Sequence, residues 1–214
     1  MTIAAAIIPV TPFQQNCVLI WDDATKEGVV VDPGGDAPQI MEAIAQAGVA
    51  VKRILLTHGH LDHAGAAAEL AEALGVPVEG PHRADAFLLD GLPEQGARYG
   101  MACRTVTPDR WLEEGESVEI AGQDFAVLHC PGHTPGHVVF VSTALEIALV
   151  GDVIFRGSVG RTDFPYGDHA ALIAAIRGKL FPLGDGMRFI CGHGPGSTFG
   201  AERRSNPYCG DGAA

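Results

Sequence analysis

Residues 57–63 read Thr-His-Gly-His-Leu-Asp-His, so three imidazoles and one carboxylate fall within six residues. All four side chains offer nitrogen or oxygen lone pairs. Such a set suits zinc, and also iron or manganese. Three neighbouring imidazoles that turn inward cost desolvation unless something satisfies them. His58 and His60, two apart in an extended turn, can point the same way. Asp62 and His63 open the following helix and can face a second point. Four ligands cannot close two metal shells, because one structural shell already takes four. Three further candidates share one setting, a strand end that runs into a glycine-containing loop. They are His133 in residues 130–137 (CPGHTPGH), Asp152 in 150–152 (VGD) and His193 in 191–196 (CGHGPG). Strand ends are where separate segments converge on one site.

The elements that position these residues follow from periodicity and turn chemistry. Residues 2–10, 16–21 and 28–31 are apolar or β-branched runs split by turns, and read as strands. A helix is expected over 37–47, capped by Asp36, with Pro38 in its first turn and Gly48 as its stop. Residues 53–56 read as a short buried strand, 62–74 as a second helix and 81–91 as a third. In the second half, 116–120, 124–129, 137–142 and 146–150 read as strands. A helix capped by Asp168 is expected over 169–180, with Arg177 and Lys179 near its C-terminus. Residues 189–191 form a last strand. Strands and helices in both halves, with no linker between them, imply two packed sheets covered by helices.

Composition narrows the function. The chain has 214 residues, with 14 Lys+Arg against 26 Asp+Glu and a formal net charge of −12. That charge argues against a nucleic-acid partner, which needs a cationic surface. Cys17, Cys103, Cys130, Cys191 and Cys209 form no CxxC, so neither a disulfide framework nor a thiolate metal site is indicated. They read as small buried hydrophobes in a reducing compartment. No Lys or Arg precedes the apolar residues 3–8, and Pro9 cuts them short, unlike a signal peptide. No apolar run approaches the ~20 residues of a membrane span. A cytoplasmic location is expected, with no membrane partner. The composition does not fix an oligomeric state.

HxHxDH followed by a single His, an Asp and a His resembles the metallo-β-lactamase superfamily. Residues 192–200 (GHGPGSTFG) with Glu202, Arg203, Asn206 and Pro207, and residues 157–165 (GSVGRTDFP), are similar to the short bacterial form of glyoxalase II, a hydroxyacylglutathione hydrolase. The resemblance runs from about residue 9 to 207. It implies an α+β fold, a four-layer αββα sandwich of two mixed sheets, as one domain over residues 1–214. It also implies two divalent metal ions per chain, zinc foremost. His58, His60 and His133 would hold the first; Asp62, His63 and His193 would hold the second; Asp152 would bridge them.

The activity implied is hydrolysis of an S-2-hydroxyacylglutathione, such as S-D-lactoylglutathione, to a 2-hydroxy acid and glutathione by a metal-bound hydroxide, as in methylglyoxal detoxification. Asp62 and Asp152 are the catalytic carboxylates of that reading. The long form of the family adds a helical C-terminal domain that contacts glutathione. Only 21 residues of the 214 follow His193, so glutathione contacts are expected from core loops. Arg161 is the first candidate, then Arg203 and Arg204, which also fit a solvated helix face. His137 is expected to shape the His133 loop. Asp32 serves either its turn or the ligand loops. Persulfide dioxygenases, which use a single iron, are similar at all seven ligand positions and are the main alternative. A metallo-hydrolase of another ester or thioester is a lower one. A β-lactamase fits less well, since common zinc β-lactamases carry Cys where Asp152 stands.

Overall fold

Each half of the chain begins as an antiparallel meander and then crosses over to a parallel strand. The computed structural model describes residues 2–213; Met1 and Ala214, the ends of the expected domain, lie outside them. In the first half β1 (Ile3–Val10), β2 (Gln15–Asp22) and β3 (Glu27–Val31) pair antiparallel. Helix α1 (Ala37–Ala47) leads to β4 (Ala50–Leu55), parallel to β3. Helices α2 (Leu61–Ala64) and α3 (Ala67–Leu74) lead to β5 (Val78–Glu79), parallel to β4. Helices α4 (Ala86–Asp90) and α5 (Leu92–Tyr99) follow.

In the second half β6 (Ser117–Ile120), β7 (Gln123–His129), β8 (Val138–Ser142) and β9 (Ile147–Gly151) are antiparallel neighbours. A small ribbon of β10 (Ile154–Phe155) and β11 (Ser158–Val159) comes next. Helix α6 (His169–Ala175) precedes β12 (Arg188–Cys191), parallel to β9. Then β13 (Ser197–Thr198) pairs with β12, and α7 (Phe199–Ser205) follows. The sheets run β1-β2-β3-β4-β5 and β13-β12-β9-β8-β7-β6.

Side chains alternate across each strand, and here both faces are covered. In β2, Cys17 and Leu19 face Ile40, Ile44 and Leu70 of α1 and α3, while Val18 and Ile20 face the other sheet. In β8, Val138 and Phe140 meet Val18 and Ile20 between the sheets, while Val139 and Val141 meet Leu172 and Ile176 outside. Three apolar layers therefore separate four structural layers, the expected αββα sandwich.

Several local expectations change for identifiable reasons. The helix expected over 62–74 breaks between α2 and α3. Ala66 N donates to Pro33 O at 2.9 Å, outside the helical ladder, and a Cβ at Gly65 would lie 2.4 Å from Gly34 O. The break lets the ligand turn sit on the 33–34 loop. Asp36 does not cap α1: it adopts φ 51°, and its carboxylate accepts from Thr11 N at 2.6 Å instead. Asp168 does cap α6, accepting from Ala171 N at 2.9 Å. The third helix resolves into a 3₁₀ turn, Arg83–Asp85, and α4. Helix α5 was not expected, because Pro93 and Gly96 interrupt its pattern.

Candidate metal centre

Parallel pairing puts the C-terminal ends of β3 and β4 on one edge, and likewise those of β9 and β12. Such ends are where open α/β sheets gather ligands. Asp32 follows β3, His58 and His60 follow β4, Asp152 follows β9 and His193 follows β12. The two sheets are stitched together at this edge. Asn16 Nδ2 donates to Cys191 O and Gly194 O at 2.9 and 2.8 Å, and Val138 N donates to Thr57 O at 2.8 Å.

The seven residues expected from sequence meet there. His60 Nδ1 lies 3.1 Å from His58 Nε2 and 3.0 Å from His133 Nε2. Asp62 Oδ2 lies 3.2 Å from His193 Nε2 and 4.0 Å from His63 Nε2. Asp152 stands between the groups. Its Oδ1 is 3.3 Å from His63 Nε2, and its Oδ2 is 3.5 Å from His133 Nε2 and 3.6 Å from His193 Nε2. His58–His60–His133 and Asp62–His63–His193 are each close enough to share one ion. Asp32, His58 and His63 form a third close set, but Asp32 is engaged elsewhere.

The outward nitrogens decide what the inward ones present. Thr57 Oγ1 gives its proton to Asp32 Oδ2 at 2.6 Å, so it accepts from His58 Nδ1 at 3.1 Å. His133 Nδ1 donates to Arg161 O at 2.8 Å and His193 Nδ1 to Phe13 O at 3.2 Å. His63 Nδ1 donates to Asp32 Oδ2 at 2.9 Å. Each neutral imidazole held this way turns a lone pair inward. On His63 and His193 the inward nitrogen faces carboxylates, which favour a positive charge there, either a proton or a metal ion in its place. His63 Nε2 and Asp152 Oδ1 are buried and out of hydrogen-bond alignment. Imidazole nitrogens gathered against carboxylate oxygens leave a place that a cation fits, and these are the nitrogen and oxygen ligands a divalent ion takes.

Electrostatics agree. Burial, then the neighbouring His63 and His137 rings, hold His58 well below the usual imidazole range. Burial and His133 bring His60 down to about 3. Both stay neutral, as ligands must. Burial works the same way on His63, but the charges of Asp152 and Asp62 overrule it and raise that ring well above its ordinary value. Burial alone would raise Asp62, yet His63 and the hydrogen bond from His193 hold it below the usual carboxylate range.

Residues 10–193 match the metallo-beta-lactamase superfamily. The chain belongs to that superfamily. It is 50% identical over 204 residues to the hydroxyacylglutathione hydrolase GloC of Haemophilus influenzae, covering 94% of this chain and 96% of that one. Among solved structures, BLEG-1 B3 metallo-beta-lactamase superimposes with a TM-score of 0.88 at 35% identity, covering 96% of this chain and 99% of that chain. TTHA1623 in a di-iron-bound form gives 0.84 at 39% identity, covering 95% and 99%. With the His/Asp clusters, this makes the protein a metallo-β-lactamase-superfamily member of the metal-dependent hydrolase kind.

A cavity of about 770 Å3 opens beside the cluster. Its walls include His60, His133, Asp152, Phe13, Tyr99 and Tyr166. Arg161 lines it too, but its guanidinium makes two 2.8 Å bonds to Asp163 and lies 4.4 Å from the Phe164 ring centroid. Arg203 and Arg204 are not brought to this cavity. Both pair with Asp185 on the surface, the solvated-face arrangement. Among the described residues no helix is long and apolar enough to cross a membrane.

Sequence reasoning left several supporting side chains unassigned. His137 was expected near the His133 loop. Its Nε2 accepts from Asp152 N at 3.0 Å and its ring stacks on His58 at 4.6 Å. Asp32 does more than form its turn: it accepts from Thr57 and His63. Thr57, Tyr166 and Asp85 were missed altogether. Each acts through a partner remote in sequence or carries a common residue type, so only the neighbouring motif hinted at them.

Cys130 and Cys191 lie near ligands but are buried, and burial pushes their thiols up to about 12 and about 11. Thiols so protonated are neither nucleophiles nor ligands at neutral pH. Cys130→Ser and Cys191→Ser should each retain most hydrolytic activity. Steady-state kinetics at matched metal content check this; complete loss in either folded variant would implicate a thiol in turnover.

Proposed function

We propose that this protein is a hydroxyacylglutathione hydrolase. On this reading it hydrolyses S-2-hydroxyacylglutathiones, such as S-D-lactoylglutathione, in the cytoplasm as a single domain with two divalent ions, zinc foremost. The observation that carries the reading is the position of Asp152 between His58–His60–His133 and Asp62–His63–His193, beside a large cavity that it helps line. The 50% identity to a hydroxyacylglutathione hydrolase supports the substrate.

His58, His60 and His133 would hold the first ion, Asp62, His63 and His193 the second, with Asp152 shared. Bound there, such ions supply a water-derived nucleophile at neutral pH and polarise the thioester carbonyl. The chain does the rest. Asp62, kept ionised, orients the attacking water. Asp32, Thr57 and the carbonyls of Phe13 and Arg161 fix the rings, so little reorganisation accompanies reaction. The thiolate leaves without a general acid, since a thiol's pKa is near ~8.5.

Arg161 would meet a glutathione carboxylate. Its side chain is exposed and already shared with Asp163, so the contact nets less than an unshared pair. Arg161→Ala should raise KM for a glutathione thioester by roughly tenfold, about 1.4 kcal/mol. It should leave kcat within about threefold, because a contact distant from the reacting bond acts as uniform binding. The backbone carbonyl that holds His133 survives the substitution. A fall in kcat with KM unchanged would make Arg161 a loop-shaping residue.

Metal analysis of purified protein together with S-D-lactoylglutathione hydrolysis tests the whole reading. Two equivalents of metal and rapid hydrolysis are expected. One iron with oxygen consumption on a persulfide would make the protein a dioxygenase. Hydrolysis of another ester or a β-lactam alone would change the substrate class.

A further inference from the structure

His60 differs from the other ligand imidazoles in what holds its outward nitrogen. His58, His133 and His193 donate outward to acceptors with no proton to give, a hydroxyl whose proton goes to Asp32 and two carbonyls. His63 Nδ1 donates to the Asp32 carboxylate at 2.9 Å, with Gln15 Nε2 farther off at 3.3 Å. His60 Nε2 instead lies 2.8 Å from the Tyr166 hydroxyl, which can both accept and donate. If His60 Nδ1 turns its lone pair inward beside His58 and His133, Nε2 carries the proton and gives it to Tyr166. The phenolic O–H is then left over. Among the described residues nothing else receives it, since the bond to His60 is the one hydrogen bond Tyr166 makes.

That O–H is held in place. The Tyr166 ring stacks on Phe164 with centroids 5.3 Å apart at 11°, and Phe87 packs against it edge-on at 5.2 Å. Tyr166 lines the same cavity as His60, His133 and Asp152, on the His60 side of the cluster. Tyr166 is only half-buried, so in the free protein water takes this O–H, and an acceptor on a bound substrate replaces that water.

We propose that Tyr166 is a specificity-determining residue, donating its phenolic proton to the 2-hydroxyl of the acyl group while it accepts from His60. This rests on the metal-centre and thioester readings above. A site with a placed donor rejects the analogue that lacks the matching oxygen far better than an apolar pocket rejects an added one.

The test compares S-D-lactoylglutathione with S-propionylglutathione, its 2-deoxy analogue, in zinc-loaded wild type and Tyr166→Phe. Calorimetry of D-lactate and propionate binding to the same proteins gives a readout independent of turnover, and zinc content is measured throughout. The wild type should favour the lactoyl substrate, and Tyr166→Phe should reduce that preference by about tenfold or more. D-lactate should lose its binding advantage over propionate, with zinc content unchanged. Equal losses for both substrates, or a lower zinc content with the preference intact, would overturn the proposal and leave Tyr166 only orienting His60. If the wild type hydrolyses neither thioester, the substrate reading fails separately. The acid-binding comparison then decides: an advantage for D-lactate that Tyr166→Phe abolishes supports the proposal, and none, or one that persists, overturns it.

Discussion

In Asp152→Ala, thioester hydrolysis should fall by far more than ~100-fold and the protein should fail to hold metal. Asp152 touches both ligand groups: Oδ1 faces His63, and Oδ2 faces His133 and His193. No other side chain replaces it from nearby. Residues 160 and 192 press on it as glycines, and a Cβ at Gly192 would stand 2.1 Å from Asp152 Oδ1. Removing a shared carboxylate opens both groups and leaves several inward lone pairs without their charge partner. His137→Ala is the control. His137 reaches the centre by accepting from Asp152 N, by stacking on His58 and by an edge contact with His133. Partners that orient a ligand in this way typically contribute ~10–100-fold in metal affinity or activity. Kinetics and metal analysis on the two variants separate the roles. Equal losses would mean that Asp152 is not the shared ligand.

The cluster of candidate ligands was legible because its signal is local. Three histidines and an aspartate in 58–63 need no knowledge of the fold, and His133, Asp152 and His193 each announce themselves by a strand running into glycine. The two sheets were legible as well, since strands covered on both faces read as continuous apolar runs. What holds the ligands was less legible. Thr57 and Asp32 are 25 residues apart in sequence, and Tyr166 and His60 are 106 apart. A threonine or a tyrosine in a loop carries no mark of such a partner. Charge was the least reliable guide. Arg203 and Arg204 looked available for a substrate because the sequence does not reveal Asp185 beside them. Asp36 looked like a helix cap because its left-handed backbone, which turns the carboxylate to Thr11, is set by the fold.

Asp85 is the supporting residue whose loss should cost the most stability. It is fully buried, in the turn before α4, and clamps two ligand loops that are far apart in sequence. Oδ2 accepts from Gly59 N at 2.9 Å, between His58 and His60, and from Thr134 Oγ1 at 2.7 Å, next to His133. Oδ1 accepts from Gly136 N at 2.5 Å. Both loops lie too close for side chains, since a Cβ at Gly136 would be 2.6 Å from Asp85 N and one at Gly59 2.8 Å from Leu88 Cβ. Asp85→Ala strands three buried donors, each costing ~1–3 kcal/mol when left unpaired. Water recovers part of this, so a loss of about 3 kcal/mol is expected in urea unfolding, with weaker metal binding as the loops loosen. The deficit should depend on pH. Burial raises the Asp85 carboxyl to about 6 against its three donors, from an ordinary value of 3.8. Between those values the folded state binds more protons than the unfolded one, so Asp85 contributes less stability as pH rises through about 6. Alanine lacks this group, and when both proteins are unfolded metal-free, titrations elsewhere are common to the two. The variant should therefore fall further below wild type at pH 5 than at pH 7.5. A deficit that grows with pH instead would mean that the three donors outweigh burial and hold Asp85 ionised.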